Sequence, residues 1–188
     1  MENNIPQFGE LKTVEIKNFL TRDKFSICRA DGSSCASEDA AIQVAAVCSQ
    51  PSVYDFLFRE KFNGRPYDIS DARNFLDGAK KGWEEKKHFV FLVKDQSDKI
   101  VGSLDVRSAD LAGAEIGYWA DENNQGFMTN AVKALCDIAK NAGYRSLRAI
   151  ALMHNPRSAG VLKRAGFKFK GMTKKGEDEY LNYEIVLD

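Results

Sequence analysis

Between Met128 and Ala142, apolar residues fall at Met128, Ala131, Val132, Leu135, Ile138, Ala139 and Ala142. Spacings of three and four place them on one stripe, predicting an amphipathic helix laid against a core. Gly143 stands where a left-handed C-terminal cap is expected. Before this helix, Ala114–Trp119 is a strand of mixed pattern. After it, Leu147–Met153 is an apolar run broken by one arginine, which suits a strand covered on both faces. Strand, helix, strand in that order predicts a right-handed crossover and a parallel pair. The connecting loop Asp121–Gly126 is polar and delivers backbone N–H groups at a helix N-terminus. Such an end attracts phosphate.

The rest of the chain falls around this unit. Val14–Phe19 and Phe25–Arg29 read as strands joined by a turn at Arg22–Asp23, with the first alternatively an extended lead-in. Residues 1–12 read as a loose arm. A helix starts near Ser37, carries Ala40, Ala41, Val44 and Val47, and closes at Pro51. Val53–Phe58 is apolar and ambiguous between helix and strand, and Arg59–Tyr67 reads as a loop. Ser70 caps a helix with Ala72, Phe75, Leu76, Ala79 and Trp83 on one face. Phe89–Lys94 and Ile100–Arg107, joined by Gln96-Ser97-Asp98, form an antiparallel hairpin. A turn at Ser108–Gly113 leads to the strand bearing Glu115. Lys168–Met172 and Tyr180–Leu187 close the chain as strands. A meander, a βαβ unit, a short helix and a closing hairpin make an α+β layout, a mixed sheet with helices on both faces.

Composition narrows the class. The 188 residues and 21.0 kDa suit one domain with a sizeable core. Lys+Arg and Asp+Glu are both 27, so no net charge draws the chain to nucleic acid or to a membrane. Apolar runs are too short for a membrane span, and MENNIPQFGEL lacks the regions of a signal peptide. Cys28, Cys35, Cys48 and Cys136 have no metal-ligand spacing. Cys48 and Cys136 fall on apolar helical faces, as buried thiols of a cytoplasmic protein would. The glycine-rich dinucleotide fingerprint and the Walker loop are absent, since Gly126 stands alone.

Four pieces in order carry a resemblance. They are Glu115-Ile116-Gly117-Tyr118-Trp119, Gly126-Phe127-Met128-Thr129-Asn130-Ala131, Asn155-Pro156-Arg157-Ser158, and Val161-Leu162 through Ala165-Gly166-Phe167. From roughly Phe25 to Leu187 the chain resembles the GCN5-related N-acetyltransferase (GNAT) superfamily. Within it, the chain is similar to the branch of ribosomal-protein N-terminal alanine acetyltransferases (RimJ/RimL type). The resemblance implies a mostly antiparallel sheet of six to seven strands with a splayed parallel central pair. It also implies a single domain over residues 13–188. The activity implied is transfer of acetyl from acetyl-CoA to a primary amine, by a monomer or homodimer.

The site it implies is specific. N–H groups of Gln125, Gly126, Phe127, Met128 and Thr129 hold the diphosphate of the cofactor. The strand with Tyr118 and Trp119 binds the pantetheine arm through main chain, and Asn155 adds a side-chain contact. Ser158 lies at the leaving sulfur, and Glu115 is the first choice of base. Each has a plainer structural reading. Asn155 before Pro156 is a standard helix start, Ser158 a surface residue, Glu115 a cross-sheet hydrogen-bond partner, and the loop a simple turn into a helix. His154 reads as a surface histidine at a strand end, or alternatively as a proton acceptor, and His88 begins a strand with no visible partner. The chain departs from the family at Asn123, Asn124 and Met128, and its loop is about two residues shorter than usual. Met128 crowds the approach to phosphate. Leu162 occupies the place of a tyrosine acid found in other relatives. The alternative reading is a catalytically degenerate CoA-binding sensor or scaffold. Ser52–Ser70 and the turn after Met172 are implied to line the acceptor side.

Overall fold

The computed structural model describes residues 5–9, 13–32 and 37–187, so Cys35 lies outside it. Among the described residues, eight strands form one sheet in the order β1-β2-β3-β4-β5-β6-β8-β7. They are β1 Val14–Lys17, β2 Lys24–Arg29, β3 Phe89–Lys94, β4 Ile100–Val106, β5 Ala114–Ala120, β6 Ser146–Leu152, β7 Lys168–Lys175 and β8 Asp178–Val186. The expected count of six to seven is thus short. The four-residue β1 is a true edge strand, paired antiparallel with β2. Every pairing is antiparallel except β5 with β6.

Among the described residues, five helices cover the two faces: α1 Glu38–Cys48, α2 Pro51–Leu57, α3 Ile69–Glu84, α4 Met128–Asn141 and α5 Pro156–Ala165. The two-residue period of β3 explains the two layers. Phe89, Phe91 and Val93 join the core under α4 and α5, while Val90 and Leu92 join the one under α1, α2 and α3. The ambiguous apolar segment is helical because Pro51 opens α2 from its first turn. Asp68, not Ser70, caps α3. Its carboxylate accepts from the N–H of Asp71, and the Asp71 side chain accepts from the N–H of Asp68. Phe8 of the N-terminal segment packs on Trp83 and Phe89, with ring centroids at 5.1 and 4.5 Å. Among the described residues no helix is long and apolar enough to cross a membrane.

The parallel pair positions the site. β5 and β6 are in register only at Ala114–Leu147 and Glu115–Arg148. Beyond these rungs they part, although β5 stays bonded to β4 and β6 to β8 along their lengths.

Candidate active site

A cavity of about 710 Å³ opens where the strands separate, a volume suited to a small-molecule ligand. Ile116–Ala120 of β5 and Ile150–Leu152 of β6 form its sides. Backbone bonds Arg107 N–H to Glu115 O and Asp121 N–H to Val101 O fix the odd-numbered residues of β5 on β4. The antiparallel alternation then turns the main chain of Tyr118 and Ala120 toward the gap. Trp119 spends its main chain on Ser103. Its ring is nearly buried against Phe75 and contributes a wall.

The loop after β5 is tied from both sides. The buried carboxylate of Asp121 accepts from Gln50 Nε2 at 2.7 Å, from Asn123 N–H and Nδ2, and from Asn124 Nδ2. Gln50 Oε1 also accepts from Glu122 N–H. Asn123 and Asn124, the departures noted above, are therefore structural ties. Farther on, Asn18 Nδ2 donates to the carbonyl of Gln125 at 2.9 Å, and Phe19 N–H donates to that of Gly126 at 2.9 Å. A trans peptide sets its N–H opposite its C=O. Pulling these two carbonyls toward the β1 turn therefore aims the N–H groups of Gly126 and Phe127 the other way.

Helix α4 begins immediately afterwards with no side-chain cap and no acid in its first turn. Among the described residues, no partner is present for the N–H groups of Gln125, Gly126, Phe127, Met128 or Thr129. Orphan donors at a helix start together with the positive end of its dipole make an anion site. Met128 packs into the core and also lines the cavity beside these N–H groups. Arg164 of α5 lines the same cavity, donates to Thr129 Oγ1 at 3.2 Å, and has no acidic partner among the described residues.

The start of α5 supplies the opposite wall. Asn155 Oδ1 accepts from Ser158 N–H, so it is the helix cap and lines the cavity as well. Tyr118 Oη lies 2.8 Å from Ser158 Oγ and 3.1 Å from the Ser158 carbonyl. Burial pushes the Tyr118 phenol up to about 12, against a smaller opposing effect of Ser158. Glu115 stands at the last rung of the pair and is not part of the cavity lining. Arg107 Nη1 donates to its Oε1 at 2.6 Å. His88, unlike the sequence expectation, has a partner: Nε2 lies 2.8 Å from Asp105 Oδ2. The rings of His154 and Phe56 lie tilted at 34° with centroids 5.6 Å apart, and Phe56 lines the cavity.

Sequence reasoning missed Asn18, Gln50, Arg107 and Arg164. Arg157, Val161 and Arg164 fall at helical spacing on one cavity-facing stripe of α5, and that signal could have flagged Arg164. Asn18 and Gln50 reach the loop across 107 and 71 residues and carry no local mark.

Asp121 yields a pH prediction. Burial raises its carboxyl, but hydrogen bonds from Gln50, Asn123 and Asn124 outweigh this and hold it below the ordinary value. Its contribution to stability is therefore complete above about pH 3.9, its ordinary value. It is lost as pH falls through the lower folded-state value. We expect Asp121→Asn to cost about 1–3 kcal/mol at neutral pH. That difference should shrink toward zero when urea melts are repeated below about pH 4.

Residues 35–168 match the family described as acetyltransferase (GNAT) domain. Solved structures share the fold at low identity. The microcin C7 self-immunity acetyltransferase MccE, in complex with acetyl-CoA and AMP, is 21% identical at TM-score 0.70, over 86% of this chain and 92% of that one. The ribosomal-protein-S5-alanine acetyltransferase from Vibrio fischeri is 17% identical at TM-score 0.74, over 95% and 98%. Mycobacterium smegmatis RimJ, in complex with CoA-disulfide, is 16% identical at TM-score 0.73, over 93% and 86%. No curated protein matches the chain by sequence.

Proposed function

This chain belongs to the acetyltransferase (GNAT) domain family, and on that premise we propose that it transfers acetyl from acetyl-CoA to a primary amine by direct attack in a ternary complex. The acceptor is the α-amine of a protein N-terminus or of a small molecule. Residues 13–188 act as the single catalytic domain, with residues 1–12 as its arm. The observation carrying this reading is the joint occurrence of a row of partnerless N–H groups at Gln125–Thr129 and the open gap between β5 and β6.

The diphosphate of acetyl-CoA lies on those N–H groups, with Arg164 alongside. The pantetheine arm enters the gap, where the main chain of Tyr118 and Ala120 offers its amides the pairing that β6 leaves unmade. Asn155 contributes its remaining side-chain nitrogen. The amine nitrogen attacks the thioester carbonyl, and an N–H from β5 stabilises the oxyanion. The surplus proton passes through water to Glu115. As the C–S bond breaks, the thiolate accepts a hydrogen bond from Ser158, whose hydroxyl is aimed by Tyr118. A phenol pushed up to about 12 is too weak an acid to protonate a thiolate with an ordinary value of about 8.5. Tyr118 therefore orients, and water returns the proton.

An α-amine has a pKa of about 7.7–8.0, against about 10.4 for lysine. A site whose base is water-relayed and already paired with Arg107 suits the former. Similarity in fold to a protein named a ribosomal-protein-S5-alanine acetyltransferase supports the choice of a protein acceptor.

Thiol release from acetyl-CoA tests the reading. The amine panel contains a peptide with a free N-terminus, its α-blocked lysine-containing counterpart, and small amines. Turnover on free α-amines is expected. Turnover on lysine alone overturns the α-amine choice, and calorimetric binding of acetyl-CoA with no turnover on any amine favours a sensor. Arg164→Ala should weaken acetyl-CoA binding roughly tenfold by the same calorimetry, as loss of one charge-assisted contact predicts.

A further inference from the structure

Four ionisable side chains run in a chain across β4 and β5 at the apex of the gap. His88 meets Asp105 at 2.8 Å, Arg107 Nε sits 3.3 Å from both Asp105 oxygens, and Arg107 Nη1 meets Glu115 at 2.6 Å. Arg107 follows directly after β4 and continues its ladder, two residues beyond Asp105, so the two share a face. The register sets Asp105 opposite Gly117, and Arg107 bonds through its N–H to Glu115 O.

Gly117 makes room for this arrangement. A Cβ there would stand 2.0 Å from Arg107 Nη2 and 2.6 Å from Asp105 Oδ1. The guanidinium therefore occupies the space a side chain at Gly117 would take and forms part of the cavity wall. Glu115, one step behind at the last rung, does not. The other cation near it, Arg148 on β6, spends its guanidinium on the carbonyl of Gly113 at 3.1 Å. Burial opposes ionisation of Asp105, yet His88 and Arg107 hold its carboxyl below the ordinary value. The anchor of Arg107 is thus a fixed charge.

We propose that Arg107, seated by Asp105 on Gly117, is a positioning residue for acetyl transfer: it fixes the Glu115 carboxylate through Oε1 and leaves Oε2 to the water that carries the amine proton. This rests on the acetyl-transfer reading above, with Glu115 as base. Arginine suits the role because its planar fork spans two carboxylates at once, which a lysine ammonium cannot do with fixed geometry.

A double-mutant cycle tests it in the thiol-release assay on the full chain, with acetyl-CoA affinity measured by calorimetry. Glu115→Gln should lower kcat by about 10²-fold, the usual scale for a lost general base. Arg107→Met should lower kcat by about tenfold, as a displaced catalytic group does, with a smaller effect on acetyl-CoA affinity. Asp105→Asn should reproduce that loss, and Arg107→Lys, which keeps the charge and the fold, should recover part of the rate. The double variant R107M/E115Q should be no slower than E115Q alone. Losses that multiply in the double variant, or full rate in both R107M and R107K, overturn the proposal. A normal rate in E115Q also overturns it, since nothing remains to be positioned, while leaving acetyl transfer intact. Absence of turnover by the unmodified protein on every amine is a different failure, that of the functional reading itself.

Discussion

Gly126→Ala should weaken acetyl-CoA binding by roughly a hundredfold, about 2.7 kcal/mol, while leaving the protein folded. Two effects combine. The backbone of Gly126 has φ +103, where any side chain is strained, at about 1–3 kcal/mol. The added Cβ would also lie 2.4 Å from Asn18 Oδ1 and 2.9 Å from Leu20 Cγ. Asn18 cannot yield freely, because Oδ1 already accepts from Leu20 and Thr21 N–H and Nδ2 holds the Gln125 carbonyl. The loop must move instead, and the N–H groups aimed by that tie lose their alignment. Titration calorimetry reads the affinity, and a thermal melt reads the fold. Affinity within threefold of the unmodified protein would remove these amides from the binding site.

Phe127→Ala should be the more damaging change to stability. Phe127 is fully buried, stacks on Phe25 at 4.9 Å and packs its ring edge against Gly102, where a Cβ would stand 2.9 Å from Cζ. Removing a buried phenylalanine costs about 3–5 kcal/mol in transfer and cavity terms. In a chain of this size that lowers Tm by roughly 6–20 °C. Because Phe127 also fixes the first turn of α4, acetyl-CoA should restore less of the lost Tm than it does for a remote core variant of equal cost. A loss below about 1 kcal/mol in urea unfolding would show that the site collapses around the gap, as small cavity costs do.

What was legible in the sequence was local. The period of α4, the asparagine–proline start of α5 and the glycine after Ala165 each carry their signal within a few residues. They located the crossover and both walls of the gap. β1 was legible only as a strand or an extended lead-in, because four residues with one buried side chain fit both. Its importance comes from Asn18, whose contact with the loop spans 107 residues. Likewise no local pattern states the neighbours of Met128, which in the fold joins the core and lines the cavity. His88 found Asp105 because β3 and β4 pair at their ends, a register that no stretch of sequence states.

Two rungs alone join β5 to β6, so the sheet is two leaves on a short spine, braced by α4 and α5. On the proposed function, pantetheine seated between the leaves completes the hydrogen-bonding that the strands leave open, as a keystone closes an arch. At a hundredfold excess over Kd it adds about 2.7 kcal/mol of stability. Amide exchange at Tyr118, Ala120 and Ile150 should therefore slow on loading far more than at the rungs themselves, which are closed already.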